Sequence, residues 1–88
     1  MGLKTAFLLA AQYEGRATIS IETVCRDFFG DLTPDKFLRK VGSGEIKLPV
    51  IRMYPSQKAA KAVLLTDLAD YLDGLSAAAR KEIEQLSH

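Results

Sequence analysis

Of the residues that most often bind metals or act as nucleophiles, the chain has one cysteine, Cys25, and one histidine, the terminal His88. A lone cysteine excludes an intrachain disulfide and fits a reducing compartment. One Cys and one His cannot complete a tetrahedral zinc site within a single chain, and they make a poor nucleophile–base pair. Cys25 reads instead as a small buried thiol on an apolar helix face. Long apolar runs are also missing. The longest near the start, Ala6 to Ala11, is too short to span a bilayer or to serve as a signal-peptide core. Ala6 stands where N-myristoylation would want Ser or Thr. Gly42-Ser43-Gly44 lacks the Gly-Lys-Ser/Thr ending of a phosphate-binding loop. The acids are scattered over helix surfaces, without the apolar setting that acid–base chemistry needs. No catalytic residue, cofactor or metal site is therefore expected, and no membrane partner.

What is present suits one small globular domain. The 88 residues are 48% hydrophobic and 26% charged, an ordinary balance that argues against disorder. A chain of this size buries roughly 60–65% of the surface it exposes unfolded, so it folds with little to spare. Net charge is only +1, but the charges are segregated. Residues 36 to 61 hold Lys36, Arg39, Lys40, Lys47, Arg52, Lys58 and Lys61 against Glu45 alone: seven minus one, a net +6. The remainder holds five basic and ten acidic groups, a net −5. Such a dipole attracts a polyanion to one segment and orients its approach.

Residues 3–13 contain good helix formers and are apolar on nearly every side. One side should meet the core, and the other is available to a second subunit. Gly15 ends this helix. Residues 17–21 suit a short extended piece. Ser20 then caps a second helix, in which Ile21, Val24, Cys25 and Phe28 form one apolar face. Gly30 closes it. Thr33-Pro34-Asp35 supplies a cap, a first-turn proline and an acid at the positive end of the dipole. The third helix runs to about Val41, burying Phe37, Leu38 and Val41, and Gly42-Ser43-Gly44 stops it. Ile46 to Met53 and Ala60 to Leu65 read as two strands around a Tyr54–Ala59 turn, a β-hairpin. Tyr54 is expected to pack under it, the alternative being to stack or wedge against DNA. Thr66 then caps a short helix ending at Gly74, and Ser76 caps a final one.

Helix, tight turn, helix and basic hairpin make a winged helix-turn-helix. The fold class expected is α+β, mainly helical, with a two-stranded hairpin wing and additional N- and C-terminal helices. The whole chain, 1–88, is expected to be a single DNA-binding domain: an N-terminal helix over 1–16, the winged helix-turn-helix over 17–73 and a C-terminal helix over 74–88. The recognition helix, about 34–42, turns Lys36, Arg39, Lys40 and Ser43 outward. A helix about 10–12 Å across fits a major groove of similar width. Arg39 has the planar fork that pairs with guanine O6 and N7, whereas Lys36 and Lys40 suit phosphates. The wing, about 48–65, adds Arg52, Ser56, Gln57, Lys58 and Lys61, placed to follow the backbone or enter the minor groove.

The chain resembles the pyocin activator (PrtN) family of bacteria and their prophages. The resemblance runs through TAFLLAAQYEG, VCRDFFGDLTPDKFLRKVGSGEIKLPVIR and SQKAAKAVLLTDLADYLD. It spans about Thr5 to Asp73, with an echo at Ala78-Ala79-Arg80-Lys81-Glu82. More distantly, KFLRKVGSGEIKLPVIR and VLLTDLADYL look like the layout of excisionase and MerR-like domains. The resemblance implies a cytoplasmic, nucleoid-associated activator that binds DNA upstream of bacteriocin or prophage genes. Its expected partners are double-stranded DNA, RNA polymerase, with Asp67, Asp70 and Asp73 as a candidate contact, and a second copy through the N-terminal helix. Two other functions suit the same residues: an excisionase-like protein that bends DNA, and an adaptor or antirepressor whose basic segment meets an acidic protein.

Overall fold

A computed structural model describes residues 2–87, with side chains from Lys4 onward. The order of elements is α1 (Gly2–Gln12), β1 (Thr18–Ser20), α2 (Ile21–Phe28), α3 (Pro34–Gly42), β2 (Ile51–Arg52), β3 (Lys61–Leu64) and α4 (Leu65–Leu86). The fold is α+β and mainly helical with a small antiparallel sheet, consistent with a winged helix.

The helix signals act where the residues place them. The Ser20 side chain accepts a bond from Thr23 N–H at 3.2 Å and starts α2. Thr33 accepts one from Lys36 N–H at 3.3 Å and starts α3, with Pro34 in its first turn. α1 ends as Glu14 and Gly15 turn to positive φ, and Gly15 N–H donates to the Ala10 carbonyl at 2.8 Å. Glycine tolerates that conformation without a Cβ clash.

The sheet differs from the expected two-stranded wing. β3 lies at its centre, with β1 and β2 antiparallel on either side. Ile19 on β1 faces Val63 on β3, and both are buried. An apolar residue on an extended piece needs cover, and the second edge of β3 provides it. The first hairpin strand is shorter than expected: only Ile51 and Arg52 pair, and residues 46–50 form no strand. Alternation is still present there, because Ile46 and Leu48 are buried while Lys47 and Pro49 are exposed. Pro49 has no N–H for a ladder, and the Ile46 N–H is taken by the Lys40 carbonyl at 3.1 Å. This stretch plugs the core and closes the end of α3.

Val24, Phe37, Leu48, Val63 and Leu68 are fully buried. They come from α2, α3, the 46–50 stretch, β3 and α4, so one cluster joins α3, the hairpin and the long helix. Cys25 is buried on α2, and burial pushes its thiol pKa up. Leu9 anchors α1, and the Thr5 hydroxyl donates to Asp73 on α4. The Tyr13 hydroxyl donates to Asp27 on α2. Burial, together with this bond, pushes the Tyr13 pKa up to about 12. Asp27 is held below the usual carboxylate range by Arg26 and Tyr13.

The C-terminal region is one helix of 22 residues rather than two. Thr66 caps nothing, Gly74 does not end a helix, and the Ser76 hydroxyl accepts from Arg80 Nε at 3.4 Å within the same helix. A mid-helix glycine costs about 1 kcal/mol relative to alanine. The run Leu75–Leu86, mostly good helix formers, outweighs that cost, since each added residue extends an existing nucleus. The residues of α4 from Gly74 onward are exposed. No helix among the described residues is long and apolar enough to cross a membrane.

Candidate nucleic-acid interface

α2 and α3 are joined by residues 29–33, an arrangement consistent with a helix-turn-helix. α3 is held from its inner side. Phe37 is fully buried and its ring lies 5.0 Å from that of Phe29, tilted by 54°. Leu38 and Val41 are half-buried against the core. Three bonds then tie the last turn of α3 to the chain that leaves it. Ser43 N–H reaches the Arg39 carbonyl at 3.0 Å, Gly44 N–H reaches Val41 at 3.1 Å, and Glu45 N–H reaches Lys40 at 3.0 Å. Gly44 has φ +83°, so the turn suits a residue without Cβ. The outer face of α3 is thereby fixed.

On that face Lys36, Arg39, Lys40 and Ser43 line one shallow hollow, with Glu45 at its edge. Lys36, Arg39 and Ser43 are exposed. Lys40 is committed to a neighbour: its ammonium lies 2.6 Å from Glu45 Oε2. An exposed pair of this kind is worth at most about 1 kcal/mol, so a phosphate can compete for the lysine. The Ser43 hydroxyl donates to the Lys40 carbonyl at 3.0 Å, which gives it a capping role.

Between α3 and the hairpin lies a second groove, lined by Asp35, Leu38, Arg39, Val41, Gly42, Val50, Arg52 and Lys61. Arg39 borders both hollows. Arg52 and Lys61 are directly opposite one another across the β2–β3 ladder. Like charges so placed destabilise a sheet. Three cations from three elements share this groove with the single acid Asp35.

The turn beyond carries the remaining candidates. Ser56 is half-buried and its hydroxyl accepts from Lys58 N–H at 3.2 Å, so Ser56 shapes the turn. Gln57 and Lys58 are exposed. Tyr54 does not pack under the hairpin. It is 56% exposed, and Met53 beside it is 49% exposed. Ala59, only 4% exposed, takes the buried place near the turn. A four-residue ladder leaves little room for a larger ring. Sequence reasoning missed the exposure of Met53 and Tyr54. The small, apolar Ala59 was the signal that could have shown it.

Lys47 falls outside this face. It lines a different hollow, with Glu45, Pro49, Asp67, Asp70, Tyr71, Gly74 and Leu75. Among the acids expected to form a patch on α4, Asp67 and Asp70 lie together there, while Asp73 lines another hollow with Lys4, Thr5, Ser76 and Arg80. Arg26 pairs with Asp27 at 2.9 Å on α2. No group of three or more His, Cys, Asp or Glu side chains that could hold a metal occurs among the described residues.

No curated protein and no solved structure is significantly similar to the chain. The model of one protein family, described as pyocin activator protein PrtN, matches residues 5–79. That stretch takes in α1 from Thr5 onward, α2 and α3, the hairpin and α4 as far as Ala79, and the chain accordingly belongs to the pyocin activator family.

Proposed function

We propose that the protein is a sequence-specific DNA-binding transcription activator, and that the whole chain acts as one domain on the nucleoid of a bacterial cytoplasm. Membership of the pyocin activator family supports the activator role. The observation that carries the DNA-binding part is the groove shared by Arg39, Arg52 and Lys61. The fold accepts a like-charge pair across a strand ladder, at a cost that a phosphate held between the two cations would remove.

In this arrangement α3 enters the major groove. Arg39 reads a guanine edge, and Lys36, with Lys40 released from Glu45, holds phosphates. The hairpin follows the neighbouring backbone or the minor groove through Arg52, Gln57, Lys58 and Lys61. Activation needs a second surface for RNA polymerase. Asp67 and Asp70, in the hollow they share with Tyr71 and Leu75, are the candidates. A second copy docks through the outer side of α1, where Phe7 and Leu8 are 72% and 66% exposed.

Selection of bound duplexes from a random pool, repeated at two salt concentrations, tests the central claim. Recovery of one sequence motif at both supports it. Recovery of unrelated sequences at low salt and none at high salt would reduce the protein to a non-specific binder. The dimer has its own test. Leu8→Asp should yield a folded monomer in sedimentation, because Leu8 takes no part in the core. A monomeric wild-type protein would remove the need for that surface.

A further inference from the structure

Three consecutive residues at the tip of the hairpin, Met53, Tyr54 and Pro55, are exposed to water. Single exposed apolar residues are ordinary and need no explanation. Three in a row on a projecting turn are different, because each remains hydrated when the protein is alone. The tip is also firmly shaped. Met53 N–H bonds the Ala60 carbonyl at 3.0 Å, Ser56 N–H bonds Tyr54 at 2.8 Å, and Ala59 N–H bonds Ser56 at 3.2 Å. Pro55 fixes its own φ. Along the chain the flanks of the tip carry one sign of charge: the hairpin from Val50 to Leu65 holds Arg52, Lys58 and Lys61 and no acid.

From this combination we infer that the tip is a DNA wedge, in which Tyr54, supported by Met53, enters a base-pair step from the minor groove while Arg52 and Lys58 hold the flanking phosphates. The inference rests on the DNA-binding function proposed above and deepens it. Charge complementarity selects the occupant, because an apolar ring carried between cations suits a stack of bases enclosed by phosphates. Apolar wedges of this kind unstack a step and bend the duplex toward the major groove. Pyrimidine–purine steps open most easily. The wedge thus adds sequence preference without a hydrogen bond to any base, and it places a TA or CA/TG step where the wing meets the site.

The chain contains no tryptophan, which provides a direct test. Tyr54→Trp places a single indole at the tip. Ile83→Trp, exposed near the far end of α4 and outside every surface given a binding role above, is the control. Each variant is titrated with the duplex recovered from the random pool, and binding is followed separately by the anisotropy of a dye on the DNA. The Tyr54→Trp emission should fall several-fold as the complex forms, with loss of access to iodide, while the Ile83→Trp emission stays constant. Tyr54→Ser should still bind but leave the duplex straighter, read by energy transfer between its ends. Binding with unchanged Tyr54→Trp emission, or equal quenching at both positions, overturns the wedge and leaves the DNA-binding function standing. If the wild-type protein gives no anisotropy change on any duplex, the DNA-binding function itself fails, and the wedge with it.

Discussion

α3 and the hairpin arm carry the same sign of charge on different foundations. α3 stands on Phe37, which is fully buried, and both of its ends are closed by hydrogen bonds. The arm stands on a ladder of two residue pairs and on Ala59. A helix held this firmly can present Arg39 in one orientation, as a bidentate contact to a base requires. A short arm with exposed lysine and glutamine suits phosphates, which tolerate a looser fit. On the proposed function, the difference would assign sequence reading to α3 and general affinity to the arm. In the arm, Tyr54 would add a shape-dependent preference of another kind.

The largest effect should come from breaking the foundation of α3. Phe37→Ala should cost about 3–5 kcal/mol of stability, read by denaturant unfolding. A loss below about 1 kcal/mol would mean that α3 is not held as the structure indicates. Next, Arg39→Ala should cost about 1–3 kcal/mol in binding and relax preference at one base position. An unchanged preference in repeat selection would transfer sequence reading away from this arginine. Lys58→Ala should instead weaken binding to all duplexes alike and reduce the salt slope by about one unit. A sequence-dependent loss would erase the division between helix and arm. The smallest effect concerns the opposed pair. Arg52→Thr should raise stability by about 0.2–1 kcal/mol, by relieving Lys61, and should lower affinity for DNA. If both quantities fall, Arg52 serves the fold rather than a ligand.

The contrast also explains which elements were legible in the residues. α2 and α3 were readable to within a residue or two because their limits are set locally. Ser20, Thr33 and Pro34 act on backbone groups within one turn, and Phe37 and its apolar neighbours recur at helical spacing. The candidate residues on α3 were readable for the same reason, since facing outward follows from that periodicity. The arm was less so. Ile46, Leu48 and Val50 alternate as a strand would, but alternation records only which side is buried. Whether a neighbouring strand is there to pair is decided elsewhere, and here Ile46 bonds α3 and β1 occupies the other edge of β3. Tyr54 was misplaced because the space under a turn depends on how the two strands meet.

By itself, the order of residues determined a basic segment between two less basic flanks, the limits of α2 and α3, and the outward set Lys36, Arg39, Lys40 and Ser43. These follow from forces that act within a few bonds or one helical turn. Only the tertiary structure decided that β1 joins the hairpin, that α4 continues through Gly74, that Lys40 meets Glu45, and that Arg39, Arg52 and Lys61 share a groove. Those outcomes depend on which distant surfaces compete for the same burial and hydrogen-bonding capacity, and that competition is settled only when the whole chain closes around Phe37, Leu48 and Leu68.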